Sequence, residues 1–521
     1  KPEPFEPISS ANLIGYMSWD QATGWEQMVL DQIRLKVGDS LYRELIPDTT
    51  LGKTRVYPLY TKDSLQFQIQ SSLLKANDLL EDLGLHVFHA SNNWAVNGKR
   101  SSTGKPILCN DTHMSLTIPG IWYQMHQVIP GKLDVSGVAI PGEPFIIMGH
   151  NQRIAWGLTT VDVDNIDFYE EKIKDDDSLQ YLYNDEWKKM EVRREVIYIK
   201  GGAKVERENR FTHRGPVISN FKGIPKKIIT MHWSGYETGN LFRSFYLLDR
   251  AGDWKEFTDA LSTYKTLCSN IVYADVEGNI GMYCAAGIPI RNRDNERIIL
   301  PGWTDKYDWK GFVPFENLPH SYNPVNGYVS SANNKTAGDD YPYFIGAWPD
   351  LSSRIDRIRE MIEQKPVLSP EDMKVMQNDQ HSVLARNMNI KIIELLSAAN
   401  DLNKDEKTGF DILKKWKGGL MSKDLAAAAV FETFYFKLSN NLLKDEIDTA
   451  LYSSYFNESM LRFAIVNIWN NPASGWWDDI TTGKKESMTD IVRKTLSNSV
   501  EFLTANFGTD TVKWKLGNFH A

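Results

Sequence analysis

The hydrophobic period of this chain changes twice, and that change limits the folds open to it. From residue 91 to about residue 340, apolar residues fall in short alternating or continuous runs. Turn signals close them, among them Asn97-Gly98, Pro141-Gly142, Glu277-Gly278-Asn279 and Pro301-Gly302. Such runs suit strands that bury one or both faces. On either side the spacing is helical. Leu13, Met17, Trp25, Met28, Val29, Ile33 and Leu35 recur at helical intervals within residues 9–48, with Gly38 as an expected stop. Residues 49–61 read as a loop, and Leu73, Leu74, Leu79, Leu80, Leu83 and Leu85 place a short helical region within 63–90. One amphipathic helix is expected at 240–265. Helices return from about 350, with a strong start at Ser369-Pro370-Glu371-Asp372, where a capping hydroxyl precedes Pro and two acids. The last residues, Lys513 to Ala521, read as a strand. Helices, a large β region and helices again predict a layered α/β body of the α+β kind. Strand and helix do not alternate regularly, which disfavours a doubly wound parallel sheet.

Composition narrows the function classes. Net charge is −8 and the basic residues are scattered, so no nucleic-acid partner is implied. No run approaches the ~18 apolar residues of a membrane span, and no signal peptide is visible. Lys1-Pro2-Glu3-Pro4 does not look like a natural start. Three cysteines, Cys109, Cys268 and Cys284, fit neither a disulfide framework nor a Cys-rich metal site. With 16 Trp, 22 Tyr and 22 Phe, the chain has rings enough to line a pocket or groove.

Common catalytic signatures are absent: no Gly-x-Ser-x-Gly elbow, P-loop, His-Glu-x-x-His or dinucleotide fingerprint occurs. His86 and His89 are wrongly spaced for one helical face, and Ser72-Leu73-Leu74-Lys75 lies on an amphipathic pattern where Ser-x-x-Lys is common by chance. Four stretches stand out instead. They are Ser91-Asn92-Asn93-Trp94-Ala95-Val96, Pro106 to His113, Gly149 to Thr160 followed by Asp162-Val163-Asp164-Asn165-Ile166-Asp167, and Ser269 to Asp275 leading to Gly287-Ile288-Pro289-Ile290-Arg291. Supporting matches include Ile129-Pro130-Gly131, His213-Arg214-Gly215-Pro216, Trp309 to Phe315, Tyr322-Asn323-Pro324 and Ala332-Asn333-Asn334.

In this order and at these separations, the stretches resemble the penicillin acylase family of N-terminal-nucleophile hydrolases, the penicillin amidase and acyl-homoserine-lactone acylase type. The resemblance implies a four-layer αββα sandwich of stacked antiparallel sheets with a C-terminal helical region, in a chain truncated at both ends. It implies that 1–62 is the end of an α-chain-like helical region and 63–90 a spacer. Residues 91–521 then form a β-chain-like catalytic region, β-rich over 91–345 and mainly helical over 346–510.

The implied chemistry is hydrolysis of an apolar acyl amide, a penicillin-type side chain or an N-acyl homoserine lactone, after self-cleavage between Ala90 and Ser91. Cleavage would free the Ser91 α-amine, whose ordinary pKa near 8 lets it act as base toward its own hydroxyl. By motif, Asn270 offers a side-chain amide and Thr160 a backbone N–H to the oxyanion. His113 and Arg291 fall at positions that help orient the amine or Asn270, with a structural salt bridge as the alternative for Arg291. Met114, Met148, Leu158 and Trp19 fall at acyl-pocket positions. Asp164, the carbonyl of Ile166, Asp167 and Glu26 fall where the family holds a structural Ca²⁺, a hard cation suited to oxygen ligands. No organic cofactor is implied. The resemblance also implies an α/β heterodimer from one precursor and a secreted or periplasmic location. Two alternatives stay open: an uncleaved relative that binds a ligand or partner without catalysis, and an aromatic-rich β protein that binds carbohydrate.

Overall fold

The structure, a computed structural model, describes residues 4–22, 24, 26–46, 56–57, 90–114, 118–219, 228–237, 239–292, 299–346, 348–447, 451–452, 455 and 460–519. The expected helical segment at 63–90, with Ser72, His86 and His89, lies outside the described residues. The chain forms two compact units, one of Lys1–Gln32 with Arg55–Pro349 and one of Ile33–Thr54 with Asp350–Ala521.

The first unit opens with helix α1 (Pro7–Asp20); α2 (Glu26–Leu45) begins in it, and its residues from Ile33 on belong to the second unit. Gly38 breaks the helical run as expected: at φ 77° and ψ 168° its backbone is non-helical, a conformation glycine adopts without steric cost, and a second helical stretch follows it. The β region then begins with β1 (Ala90–Val96), β2 (Ile107–His113), β3 (Tyr123–Ile129), β4 (Leu133–Ala139), β5 (Met148–Asn151), β6 (Ile154–Thr160) and β7 (Ile166–Glu171). Short antiparallel excursions β8 (Ile173–Lys174), β9 (Asp177–Tyr183), β10 (Glu186–Lys189), β11 (Glu191–Tyr198) and β12 (Lys204–Phe211) lead to β13 (Ile228–Trp233). The single helix expected at 240–265 is two, α3 (Leu241–Leu248) and α4 (Trp254–Leu261). Asn240 and Asp253 each cap one of them, and the second cap divides what the apolar pattern alone joins. The last strands are β14 (Ser269–Asp275), β15 (Ile280–Ala285), β16 (Leu300–Pro301), β17 (His320–Tyr322) and β18 (Tyr328–Ser331).

Two of the sheets are stacked. The smaller has the order β18-β1-β2, the larger β17-β15-β14-β6-β5-β4-β3, and every named pairing within them is antiparallel. The alternation of side chains across each strand decides which residues meet between the layers. The pairing of Asn93 with Ser331 and Asn110, and of Ser91 with Thr112, puts these residues on one face. That face meets the larger sheet through polar contacts. Asn93 Nδ2 donates to the Asn270 carbonyl at 3.0 Å, and Thr159 Oγ1 to Ser331 Oγ at 2.8 Å. On the opposite face of the larger sheet, Trp254 and Phe257 of α4 pack on Tyr273, with ring centroids 5.2 and 4.9 Å away. Buried Ile271, Tyr273, Ile280, Met282, Phe245, Phe257 and Trp156 belong to the core.

Asn110 joins the two sheets as a strand edge would. Its Oδ1 accepts from the Leu158 N–H at 2.8 Å, and its Nδ2 donates to the Leu158 carbonyl at 3.1 Å. So close an approach needs Gly157 beneath it, since a Cβ there would lie 2.4 Å from Asn110 Oδ1. Gly157→Ala is therefore expected to destabilise the protein by about 2 kcal/mol or more, read as a lower melting temperature. An unchanged melt would show that the layers slide apart without cost.

The second unit is helical: α5 (Ser353–Glu363), α6 (Pro370–Gln377), α7 (Val383–Ser397), α8 (Lys404–Lys415), α9 (Ala426–Leu443), α10 (Met460–Asn470) and α11 (Met488–Phe507). The expected start at Ser369 is a full capping box with Asp372, and Asn403/Glu406 and Ser487/Asp490 make two more. A close approach at Gly409 lets α8 seat against Leu496 and Val500 of α11. Residues 511–519 form two 3₁₀ turns rather than the expected strand. Asp510 caps the first turn, and the Trp514 indole donates to the Gly508 carbonyl at 2.8 Å, which curls the chain back on itself. Among the described residues no helix is long and apolar enough to cross a membrane.

Candidate active site

Ser91 is the second residue of β1 and is buried, at 5% exposure. Its surroundings are set by one asparagine. Asn333 Oδ1 accepts from the Ser91 backbone N–H at 2.7 Å, Asn333 Nδ2 lies 3.4 Å from Ser91 Oγ, and the same Nδ2 donates to the Thr160 carbonyl at 2.9 Å. Asn333 sits at φ 60°, a left-handed conformation that asparagine tolerates better than most residues. One buried amide thus addresses both the oxygen and the nitrogen of the same serine. The buried thiols offer no rival nucleophile. Burial pushes Cys109 and Cys268 up to about 12, so both stay protonated near neutrality.

Antiparallel pairing brings Thr160 and Asn270 to neighbouring strands, with Ser269 opposite Thr160 and Asn270 opposite Thr159. Asn270 is fully buried, and its Nδ2 donates to Ser331 Oγ at 3.3 Å. His113 lies opposite Ala90 in the β1–β2 register, so its backbone is beside the Ala90–Ser91 junction. Its imidazole points elsewhere. It bonds Asp111 Oδ2 at 3.0 Å, on the face of β2 opposite Thr112 and therefore away from the Ser91 hydroxyl. His113 thus lies near the serine by its backbone, while its ring faces Asp111.

Ser91 opens on a small cavity of about 50 Å³, lined by Thr160 and Ser269 and by apolar Met17, Met114, Trp122, Ile147, Leu158 and Leu267. Two of the four expected acyl-pocket residues, Met114 and Leu158, are there. Met148 is not. It lines a separate cavity of about 730 Å³ with Leu108, Val138, Ile154 and Trp156, because neighbouring Ile147 and Met148 point to opposite faces of the chain. Thr112 and Trp122 line both cavities. Trp19 is not among the lining residues of either: it stacks edge-on against Trp233 at 5.2 Å and packs on the cluster of Ala22, Ile166 and Phe168. Met17 and Gln21 reach the Ser91 cavity instead of Trp19.

Arg291 makes a buried salt bridge. Its Nε donates to Asp167 Oδ2 at 2.9 Å and its Nη2 to the Asp164 carbonyl at 2.9 Å, with Asp164 Oδ1 at 3.5 Å. Trp309 Nε1 adds a bond to Asp167 Oδ2 at 2.5 Å. Burial works against the guanidinium charge, but Asp167 and Asp164 outweigh it and hold Arg291 protonated. Of the residues expected to hold calcium, Glu26 and the Ile166 carbonyl both lie beside Gly24. A Cβ on Gly24 would lie 2.8 Å from the Ile166 carbonyl oxygen, the Gly24 N–H donates to Glu26 Oε2 at 2.7 Å, and Gln27 Nε2 reaches the Ile166 carbonyl at 3.4 Å. Their oxygens already have internal donors, however, and the positive charge between Asp164 and Asp167 is Arg291. Among the described residues no three metal-ligating side chains converge. The donor set does not fit a calcium cage. Arg291→Ala is expected to cost about 3–5 kcal/mol, because it removes the buried guanidinium that pairs with Asp164 and Asp167. Chelation with EGTA is expected to leave the melting temperature unchanged. A large drop restored by added calcium would reverse that assignment.

Asn333 is not marked as a site residue by the sequence, although Ala332-Asn333-Asn334 belongs to the supporting matches. Nothing in a tripeptide says that it faces a serine 242 positions earlier. Asn110, inside the second stretch, and Tyr57, inside an expected loop, are not marked either.

Known proteins resemble the chain in sequence and in fold. The chain is 27% identical to an acyl-homoserine lactone acylase of Pseudomonas aeruginosa over 83% of this chain and 54% of that protein. It is 31% identical to penicillin acylase 2 proenzyme of Pseudomonas sp. (strain SE83) over 56% of this chain and 37% of the relative. The chain thus spans about half the length of the first of these and less of the second. Its fold is similar to that of a thermostable penicillin G acylase from Alcaligenes faecalis, with a TM-score of 0.68, 22% identity, and 81% of this chain and 80% of that one covered. Residues 1–521 match the family described as penicillin amidase, and over that full length the chain belongs to it.

Proposed function

We propose that this protein is an amidohydrolase that cuts itself between Ala90 and Ser91 and then hydrolyses an apolar acyl amide through Ser91. The observation that carries this reading is the placement of Asn333, with Oδ1 on the Ser91 nitrogen at 2.7 Å and Nδ2 3.4 Å from its oxygen. Once the peptide bond is cut, that nitrogen is an amine held beside the hydroxyl it must deprotonate, and the nucleophile needs no separate histidine or aspartate. The two chains so produced make the α/β heterodimer.

The steps follow from the groups present. Ser91 Oγ attacks the substrate carbonyl carbon while its proton passes to the α-amine. The oxyanion is stabilised by Asn270 Nδ2 and the Thr160 N–H. The C–N bond breaks as the ammonium returns its proton to the leaving amine, which leaves an ester on Ser91. Water, deprotonated by the same amine, attacks that ester, and the acid departs as Oγ regains a proton. The apolar lining of Met17, Met114, Ile147, Leu158 and Leu267 favours an aliphatic or aryl acyl group. The small volume at Ser91 sets a short or flat group there, and a longer one extends past Trp122 toward the larger cavity. Penicillin-type side chains and N-acyl homoserine lactones are the two substrate classes to try first.

Intact mass and a panel of phenylacetyl and straight-chain acyl amides test the proposal together. Two chains and hydrolysis are expected. A single uncut chain that hydrolyses nothing would leave a binding protein.

A further inference from the structure

We infer that Tyr57, which precedes the proposed cleavage point, is a positioning residue for the oxyanion donor Asn270. The inference rests on the reading of Ser91 as nucleophile. Tyr57 is 2% exposed, and its phenolic O–H donates to Asn270 Oδ1 at 3.1 Å. A carboxamide has one end that only accepts and one that only donates. By donating to Oδ1, the phenol fixes which way round the amide lies. Asn270 Nδ2 is thereby turned to the other side, where one hydrogen goes to Ser331 Oγ at 3.3 Å. Ser331 Oγ is itself held by Thr159 Oγ1 at 2.8 Å. The second Nδ2 hydrogen is left for the substrate oxyanion. A preset donor costs no reorganisation when charge develops, and that is its value in a buried site.

The phenol is anchored from below. The Val56 N–H donates to the Lys335 carbonyl at 3.2 Å and the Tyr57 N–H to the Thr336 carbonyl at 3.1 Å. Those acceptors follow directly on Asn333 and Asn334. One short segment therefore carries the asparagine that holds Ser91 and also docks the tyrosine that orients Asn270. Cleavage before Ser91 would put Tyr57 on a different chain from Asn270, so the smaller chain would complete the site rather than only escort it.

Tyr57→Phe removes the hydroxyl and keeps the ring in its place. Its expected effect is a fall in kcat of roughly 10- to 30-fold with KM changed by no more than about twofold, since the lost interaction acts on the transition state. The melting temperature should stay within about 3 °C of the parent. In an Asn270→Ala background the same change should cost nothing more, because the group it orients is gone. A purely structural tyrosine would lower activity equally in both backgrounds. That result, or an unchanged kcat in Tyr57→Phe, overturns the inference. Ser91→Ala, assayed alongside, separates the two levels. If it is inactive while Tyr57→Phe behaves as the parent, only the role of Tyr57 falls. If it still turns over substrate, the reading of Ser91 falls and this inference with it.

Discussion

Replacement of Ser91 by alanine is expected to leave one chain of 59.6 kDa where the parent gives two, and to lower acyl-amide hydrolysis by at least about 10³-fold. Both effects come from one atom, because Oγ is the proposed nucleophile in self-cleavage and in turnover. Folding should be little affected. The contact between the hydroxyl and Asn333 Nδ2 is long, at 3.4 Å, whereas the backbone N–H that Asn333 holds at 2.7 Å survives the change. Hydrolysis by Ser91→Ala at the parent rate would end the proposal. The pH profile of the parent supplies a second check. The amine works as base only when neutral, so kcat/KM should rise with pH through a value near the ordinary α-amine pKa of about 8 and then level off. A rate that falls over that interval would point to a group that must be protonated.

The second large effect is expected at Asn270. Asn270→Ala should lower kcat by about 10²- to 10³-fold with little change in KM, which is the usual loss when one oxyanion donor is removed. Asn270→Asp is the sharper variant. It keeps the size of the side chain but puts an acceptor where the donor stood, next to developing negative charge, and should be at least as inactive. A rise in KM with kcat preserved would instead make Asn270 a substrate-binding residue. Both variants should be followed by thermal melting as well, since Asn270 is fully buried and its amide holds Ser331 and Tyr57.

The β-rich middle of the chain was legible because strand alternation is a local property. Ser91 itself was legible only through the order of the motifs around it; as a serine before two asparagines it would pass for a turn residue. Two helices at 241–261 were read as one, since a capping aspartate at 253 is a weak mark inside a continuous apolar pattern. The C-terminal residues were read as a strand from their composition. A cap at Asp510 and the bond from Trp514 curl them into 3₁₀ turns.

The errors at the site share one cause. Met148 and Trp19 were placed by position in a motif, and the direction of a side chain depends on the strand or helix that carries it. Arg291 is also matched by motif, and of its two readings the structure shows the salt bridge, to the buried acids Asp164 and Asp167. Taken alone, the sequence determined the alternation of helix and strand and, through the order of its motifs, the family. Which groups surround Ser91 was decided by tertiary structure. Asn333 and Tyr57 come from segments 242 residues after Ser91 and 213 residues before Asn270, and they meet these partners because two stacked sheets bury polar side chains that must then find one another.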